Sequence, residues 1–222
     1  MGLVGALIGV VSSAISVVSS AISTIGGTLA KYASNLLTVA GKWLPVVADI
    51  VCNVANVLGV TDTKEDPTEL GYAALNSDKK LEDFDSSKEY IEYIKNSIEI
   101  DKEKFKNLNE AEKIACTSIG SSILIDSIAE NKGLDEISPN FFVSLAKLGL
   151  DKIGGVDGAN YILDTFKDGK LDDFAKYVFG DLDSVKDKIF ISDRLVSMYE
   201  KLYPDMDIKD IQSIVTNMSN VE

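Results

Sequence analysis

The residues that could do chemistry in this chain of 222 residues are its carboxylates and its two cysteines. Adjacent or near-adjacent acids occur at several places, among them the pairs Glu82/Asp83, Asp172/Asp173 and Asp205/Asp207. Such a pair can serve general acid–base catalysis when one carboxyl group is desolvated and its pKa is raised. All three pairs lie in polar stretches of the kind that solvent reaches, so we expect no catalytic residue among them.

The other candidate centres also lack an essential group. Cys116 lies among apolar residues, and a chain without histidine offers no imidazole to activate a thiol, which predicts a packed, inert side chain. The segment 164–175 resembles a calcium-binding loop, but Phe166 and Ala175 stand where oxygen ligands belong. We therefore predict no catalytic, cofactor-binding or metal-ligating residue and no cofactor, which favours a protein that is not an enzyme.

Composition excludes further classes. The chain has 22 basic and 35 acidic residues, a net charge of −13, and Arg194 is its only arginine. The absence of histidine excludes His-based triads and imidazole metal sites. A nucleic-acid partner is not expected, because binding a phosphate backbone requires a basic face.

The charge is distributed very unevenly along the chain. The charged side chains among residues 1–60 are Lys31, Lys42 and Asp49, which give a net charge of +1. Residues 61–222 carry a net charge of −14. The polar run from Thr61 to Pro67 lies between them and ends in a turn-forming Asp-Pro pair. This distribution predicts two parts: residues 1–60 as an apolar Gly/Ser/Ala-rich segment for assembly or membrane insertion, and residues 61–222 as an acidic, soluble α-helical domain.

Helix start and stop signals recur through the acidic part. Asp66 before Pro67, Ser86 or Ser87, and Asn109 are typical N-caps, and Gly133 is a typical C-cap. Asp157 is interpreted in the same way as the cap of a short helix. No stretch alternates apolar and polar residues between turn signals, so we predict an all-α protein.

The first 30 residues contain no charged side chain and carry two regular patterns. The first, here named the seam, has the 4-3 spacing of a coiled coil. Its members are Val4, Ile8, Val11, Ile15, Val18, Ile22, Ile25 and Leu29, continued by Tyr32, Leu36 and Val39. β-branched residues at both heptad positions favour assemblies larger than a dimer.

The second pattern, the small-residue stripe, runs beside the seam. It consists of Gly5, Gly9, Ser12, Ser16, Ser19, Ser23 and Gly26. Small residues four apart let helix backbones approach closely and are common where helices pack inside membranes. A helix facing water normally carries Lys and Glu instead, so this face is expected to meet lipid or protein.

A second apolar segment follows Lys42-Trp43-Leu44-Pro45, and Pro45 is suited to a first helical turn. The two segments are expected to form a helical hairpin joined near Ala40–Leu44, with Trp43 at a position that suits a bilayer interface. Thirty uncharged helical residues would measure about 45 Å, more than the roughly 30 Å of a bilayer core. A long apolar segment ahead of an acidic helical domain resembles, in general style only, helical membrane-active toxins and effectors carried by injection machines.

The sequence leaves three interpretations open. The first is a self-associating protein whose N-terminal helices mediate oligomerisation and can insert into a lipid bilayer, with itself or a larger assembly as partner. The second is a structural subunit of a phage-tail-like or secretion apparatus. The third is a monomeric binding or immunity module with an apolar core.

No basic residue precedes the apolar run, so a classical signal peptide is not expected, and the protein would be cytoplasmic or exported by another route.

Overall fold

The computed structural model describes the backbone of residues 2–219 and the side chains of residues 8–219. Most of these residues are helical, and no strand occurs between residues 2 and 219, which confirms the all-α class. The chain divides into two compact units, Met1–Pro139 and Asn140–Glu222. The first unit therefore includes the apolar segment, and its end lies far from the boundary at residue 60 that the charge distribution indicates.

The first unit contains eight α-helices among the described residues. They are α1 (Gly2–Ser20), α2 (Ile22–Ile25), α3 (Gly27–Ala40), α4 (Leu44–Val57), α5 (Pro67–Leu75), α6 (Ser87–Ser97), α7 (Lys102–Lys106) and α8 (Glu110–Lys132). Gly41–Trp43 and Leu81–Asp83 form short 3₁₀ turns.

The long helix α8 lies at the centre of the first unit. Helices α1, α3, α4, α5 and α6 all pack against it, and its buried residues therefore lie on every side. Several of these residues are small, among them Ser118, Gly120, Ser121 and Ser122, so the surrounding helices can come close. The buried Ser118 hydroxyl donates to the Ala33 carbonyl at 2.8 Å and ties α8 to α3.

Helices α3 and α4 supply a large part of this core. They are joined by the turn Gly41–Trp43, at the place expected from the sequence, but each packs mainly on α8 and little on the other. Their buried side chains are Leu29, Ala30, Ala33, Leu36, Leu37 and Ala40 in α3, and Leu44, Val47, Ala48, Ile50, Val51, Cys52, Val54 and Ala55 in α4. The first 60 residues and helix α8 thus share one hydrophobic core.

Local capping signals explain where the helices begin and end. The side chains of Asp66, Ser86 and Asn109 accept hydrogen bonds from the first turns of α5, α6 and α8, and Gly133 ends α8 in the left-handed conformation, as expected. The expectation for Asp157 is wrong. The helix that contains it begins at Gly155, because Gly154 adopts a positive φ and turns the chain before Asp157 is reached.

The second unit is also helical. Its helices are α9 (Pro139–Leu148), α10 (Gly155–Phe166), α11 (Leu171–Phe179), α12 (Val185–Leu202) and α13 (Ile208–Met218), with a 3₁₀ turn at Leu150–Ile153. Phe141, Phe166 and Phe174 are buried together, and the rings of Phe166 and Phe174 stack 5.3 Å apart. These aromatic side chains give the second unit its own apolar centre.

Candidate functional site

The seam does not face a single partner in this fold. Val18, Ile25, Leu29 and Leu36 are buried inside the first unit, whereas Ile8 is 61% exposed and Ile22 is 49% exposed. Val11, Ile15, Tyr32 and Val39 are half-buried. The chain bends at Ala21 and at Gly26, where φ is +88°, and these bends rotate successive seam positions out of line. Val4 lies outside the residues whose side chains are described.

The small-residue stripe lies on the solvent side of α1 and α2. Ser12, Ser16, Ser19 and Ser23 are exposed, as is Gly9, and a methyl group added to Gly9 would meet no atom within 4 Å. Gly26 is buried, next to the Glu82 carboxylate. Gly5 lies outside the described side chains. Helix α1 therefore presents to solvent a face that carries no charge.

The serine hydroxyls of α1 find partners within the helix itself. Ser13 donates to the Gly9 carbonyl at 3.0 Å, Ser16 to the Ser12 carbonyl at 3.1 Å and Ser20 to the Val17 carbonyl at 2.8 Å. A hydroxyl that bonds its own backbone does not need water to satisfy its donor. These three donors would remain satisfied if the face of α1 left water.

Trp43, the only tryptophan, lies in the turn between α3 and α4 and is half-buried. The Lys42 ammonium lies 5.5 Å from the centre of its ring. The helical stretch Gly27–Val57 that contains it has 31 residues and includes an 18-residue window with a mean hydropathy of 1.4, enough by length and composition to cross a membrane, and 50% of that window is buried. The core helix of a soluble protein shows the same properties.

A groove between α4 and the first turns of α5 and α8 was missed by sequence reasoning. Its volume is about 680 Å³, within the usual range of binding cavities. Leu44, Ala48 and Cys52 of α4 face Ile114 and Thr117 of α8 across it. These residues are distant in sequence, so no local pattern could have indicated the groove. We name it the α4–α8 groove.

Most of the charged groups around the α4–α8 groove are engaged with one another or with helix ends. Lys64 and Asp49 form an ion pair of 2.6 Å, and Glu65 pairs with Lys95 at 2.6 Å. Asp66 accepts the Thr68 amide at 2.7 Å as the cap of α5. The floor is thus largely apolar, and four of the six charged side chains that line the groove have a partner within the chain; the other two are Lys42 and Glu110.

The acidic pairs have structural partners. Asp83 accepts the Lys80 amide at 2.8 Å, Asp173 pairs with Lys170 at 2.6 Å, and Asp207 caps α13 by accepting the Lys209 amide at 2.8 Å. Glu82 accepts the Thr28 amide at 3.4 Å near the start of α3. Each of these contacts holds a helix end or a turn.

Arg194, the only arginine, joins two helices of the second unit. Its guanidinium donates to the Thr165 carbonyl at 2.6 Å and lies 4.6 Å from the centre of the Phe190 ring. It lines a groove of about 540 Å³ that also contains Asp164, Asp193 and Lys201. Acids and bases alternate there, so the groove presents no charge of one sign to a ligand.

Both cysteines are buried, and burial raises the pKa of each thiol from 9.0 to about 12. Cys52 also donates to the Glu65 carbonyl at 3.1 Å. At pH 8 the raised pKa lowers the thiolate population by roughly 1,000-fold.

We expect thiol reagents to label the unfolded chain in urea at least 100-fold faster than the native protein. Equal rates would contradict the burial of both side chains.

Among the residues the structure describes, no group of three or more Cys, Asp or Glu side chains is placed to hold a metal ion. No protein-family model, no curated protein and no solved structure matches the chain.

Proposed function

We propose that this protein is a non-enzymatic, self-associating helical protein whose N-terminal helices mediate oligomerisation and can insert into a lipid bilayer, as membrane-active toxins and effectors do. The observation that carries the proposal is the exposed, charge-free face of α1 in a chain with a net charge of −13. The acidic pairs that hold helix ends, together with the buried thiols, support a role other than catalysis.

The cost of leaving this uncharged face in water supports the proposal of self-association. A surface helix normally carries charged residues on its outer side, and α1 carries none along its 19 residues. Covering apolar surface contributes about 25 cal/mol per Å². Two copies can also approach through the uncharged α1 without bringing together acidic residues of a chain whose net charge is −13.

Insertion is supported by length and by hydrogen bonding. A helix of 19 residues measures about 28 Å, close to the roughly 30 Å of a hydrocarbon core. Its Ser13, Ser16 and Ser20 hydroxyls are satisfied by its own backbone, which lowers the cost of leaving water. The net charge of −13 opposes adsorption to anionic lipid, so uncharged vesicles are the better target.

The decisive variant is Ile22→Asp. Ile22 is 49% exposed, so the new carboxylate does not disturb the core, whereas Ile15→Asp would act on a half-buried position. Ile22 lies in α2, directly after α1 and on the solvent side of the chain, so a charge there must be desolvated if this side is covered in an assembly or in lipid. We expect at least 100-fold weaker self-association and vesicle binding. Light scattering and flotation with phosphatidylcholine vesicles measure these quantities.

The matched control is Thr38→Asp, which adds the same charge at an exposed position of α3. It should leave association and vesicle binding within twofold of the parent protein. If Ile22→Asp also leaves both unchanged, the proposal is wrong.

One observation favours a second candidate. Helices α3 and α4 bury their apolar sides on α8, as the core of a monomeric binding or immunity module would. A full-length protein that stays monomeric and ignores vesicles would support that module. Assembly with fixed stoichiometry and no response to vesicles would instead support a structural subunit of a larger apparatus.

A further inference from the structure

The groove that contains Arg194 has two walls of opposite chemistry. It lies between α10 and α12 in the second unit, has a volume of about 540 Å³ and is here named the Arg194 groove. Its α10 wall carries a carboxylate and an aromatic ring, those of Asp164 and Tyr161, whereas its α12 wall carries the cations of Arg194 and Lys201. A small ligand fits a volume of this size, and one that carries both charges can engage both walls.

The α12 wall offers donors to an anion. Arg194 and Lys201 are seven residues apart, close to two helical turns, so they share one face of α12 about 10 Å apart, with the exposed Ser197 hydroxyl between them. The Thr165 carbonyl takes one of the five N–H groups of the guanidinium. In the described part of the chain neither cation forms an ion pair. An anion with several acceptor oxygens, such as a phosphate, can therefore accept hydrogen bonds from both.

The acid on this wall, Asp193, is exposed and turned about 100° around α12 from Arg194. Two acids and two bases line the groove in total, so its net charge is zero. A simple anion would meet both acids as well as both bases, and a simple cation would do the same. A ligand of zero net charge, with its two charges held apart, meets no such opposition.

The α10 wall suits an ammonium group that has no N–H donors. Tyr161 is 47% exposed, and in the described part of the chain no other ring or cation lies against it. Asp164 follows one turn later on the same side of α10. Its pair with Lys167 is 3.8 Å long and exposed, the kind of pair that contributes little. An accessible aromatic face is the usual binding surface for a quaternary ammonium group, and the carboxylate adds attraction for its charge.

We propose that the Arg194 groove binds phosphocholine, with the trimethylammonium group against Tyr161 and Asp164 and the phosphate against Arg194 and Lys201. An ethylene bridge separates the two charges of this ligand, which lets them lie on opposite walls. In a free α-amino acid both charged groups are attached to the same carbon. The groove lies entirely in the second unit, so the proposal goes beyond the role of α1 and does not depend on it.

Titration calorimetry of the full-length protein with phosphocholine, choline and inorganic phosphate tests the site. We expect phosphocholine to bind about 10-fold more tightly than either part or better, because each part engages one wall only. Lys201→Gln should weaken phosphocholine binding by about 10-fold and leave choline binding within twofold. Tyr161→Leu should weaken the binding of both, and Tyr161→Phe, which keeps the ring, should restore it.

Lys201 and Tyr161 are exposed, so these variants leave the core intact. Lys186→Gln is the matched control, because it removes the same charge from an exposed position of α12 outside the groove, and it should bind phosphocholine like the parent. Phosphocholine that binds no more tightly than inorganic phosphate overturns the proposal. Equal binding by the parent and by Lys201→Gln overturns it as well.

Phosphatidylcholine vesicles distinguish the two sources of this chemistry. They are added to the Ile22→Asp variant, in which α1 is not expected to bind them, together with free phosphocholine. Vesicles that compete with free phosphocholine support the lipid headgroup as ligand, and vesicles that do not compete support the free group. Ile22→Asp itself should bind free phosphocholine like the parent, so failure of the groove and failure of self-association through α1 are observed separately.

Discussion

Replacing Gly120 with alanine is expected to lower the free energy of unfolding by about 3 kcal/mol or more. The methyl group would lie 1.9 Å from the Pro67 carbonyl oxygen and 2.9 Å from the Gly71 nitrogen. Gly71 faces the same contact from α5, since its own methyl group would lie 1.9 Å from the Cys116 oxygen. Both obstacles are backbone atoms, which cannot rotate away as a side chain can, so α5 and α8 would have to move apart.

Gly9→Ala is the matched control, because Gly9 is also a helical glycine but has nothing within 4 Å of the added methyl group. Alanine is the better helix former, so this variant should be stabilised by up to about 1 kcal/mol. Urea unfolding followed by circular dichroism measures both changes. If Gly120→Ala unfolds at the same urea concentration as the parent, the backbones of α5 and α8 are not in close contact at Gly71 and Gly120.

A fragment of residues 61–222 is expected to lose the cooperative folding of helices α5 to α8. Removing residues 1–60 takes away eight buried Leu, Ile and Val side chains of α3 and α4. Each contributes about 1.5–3 kcal/mol on burial, and their sum of roughly 12–24 kcal/mol is as large as or larger than the roughly 5–15 kcal/mol by which a typical domain is stable. The part of α8 that they cover would be exposed to water.

A fragment of residues 140–222 provides the comparison, since it is a compact unit with its own aromatic core. We expect it to melt cooperatively, as followed by near-UV circular dichroism. If the fragment 61–222 instead gains a single sharp transition that includes α5 to α8, the boundary at residue 60 is the true one and the first helices are an appendage.

The local features of this protein follow from nearby residues. Asp66, Ser86, Asn109 and Gly133 mark helix ends because a cap acts on the backbone within a few positions of itself. The absence of charge in residues 1–30 is equally visible. It predicts that these helices are removed from water. It does not distinguish burial within the same chain from burial against a second copy or in lipid, because an uncharged helix is compatible with all three.

The sequence by itself therefore determined the all-α class, the helix ends marked by Asp66, Ser86, Asn109 and Gly133, and the absence of charge along α1. Only the tertiary structure decided that α3 and α4 share a core with α8, and that Gly71 and Gly120 let two backbones meet. The α4–α8 groove likewise exists only after residues near 48, 66 and 114 are brought together. Each of these features depends on contacts between residues that are far apart in the chain, which spacing along one helix does not encode.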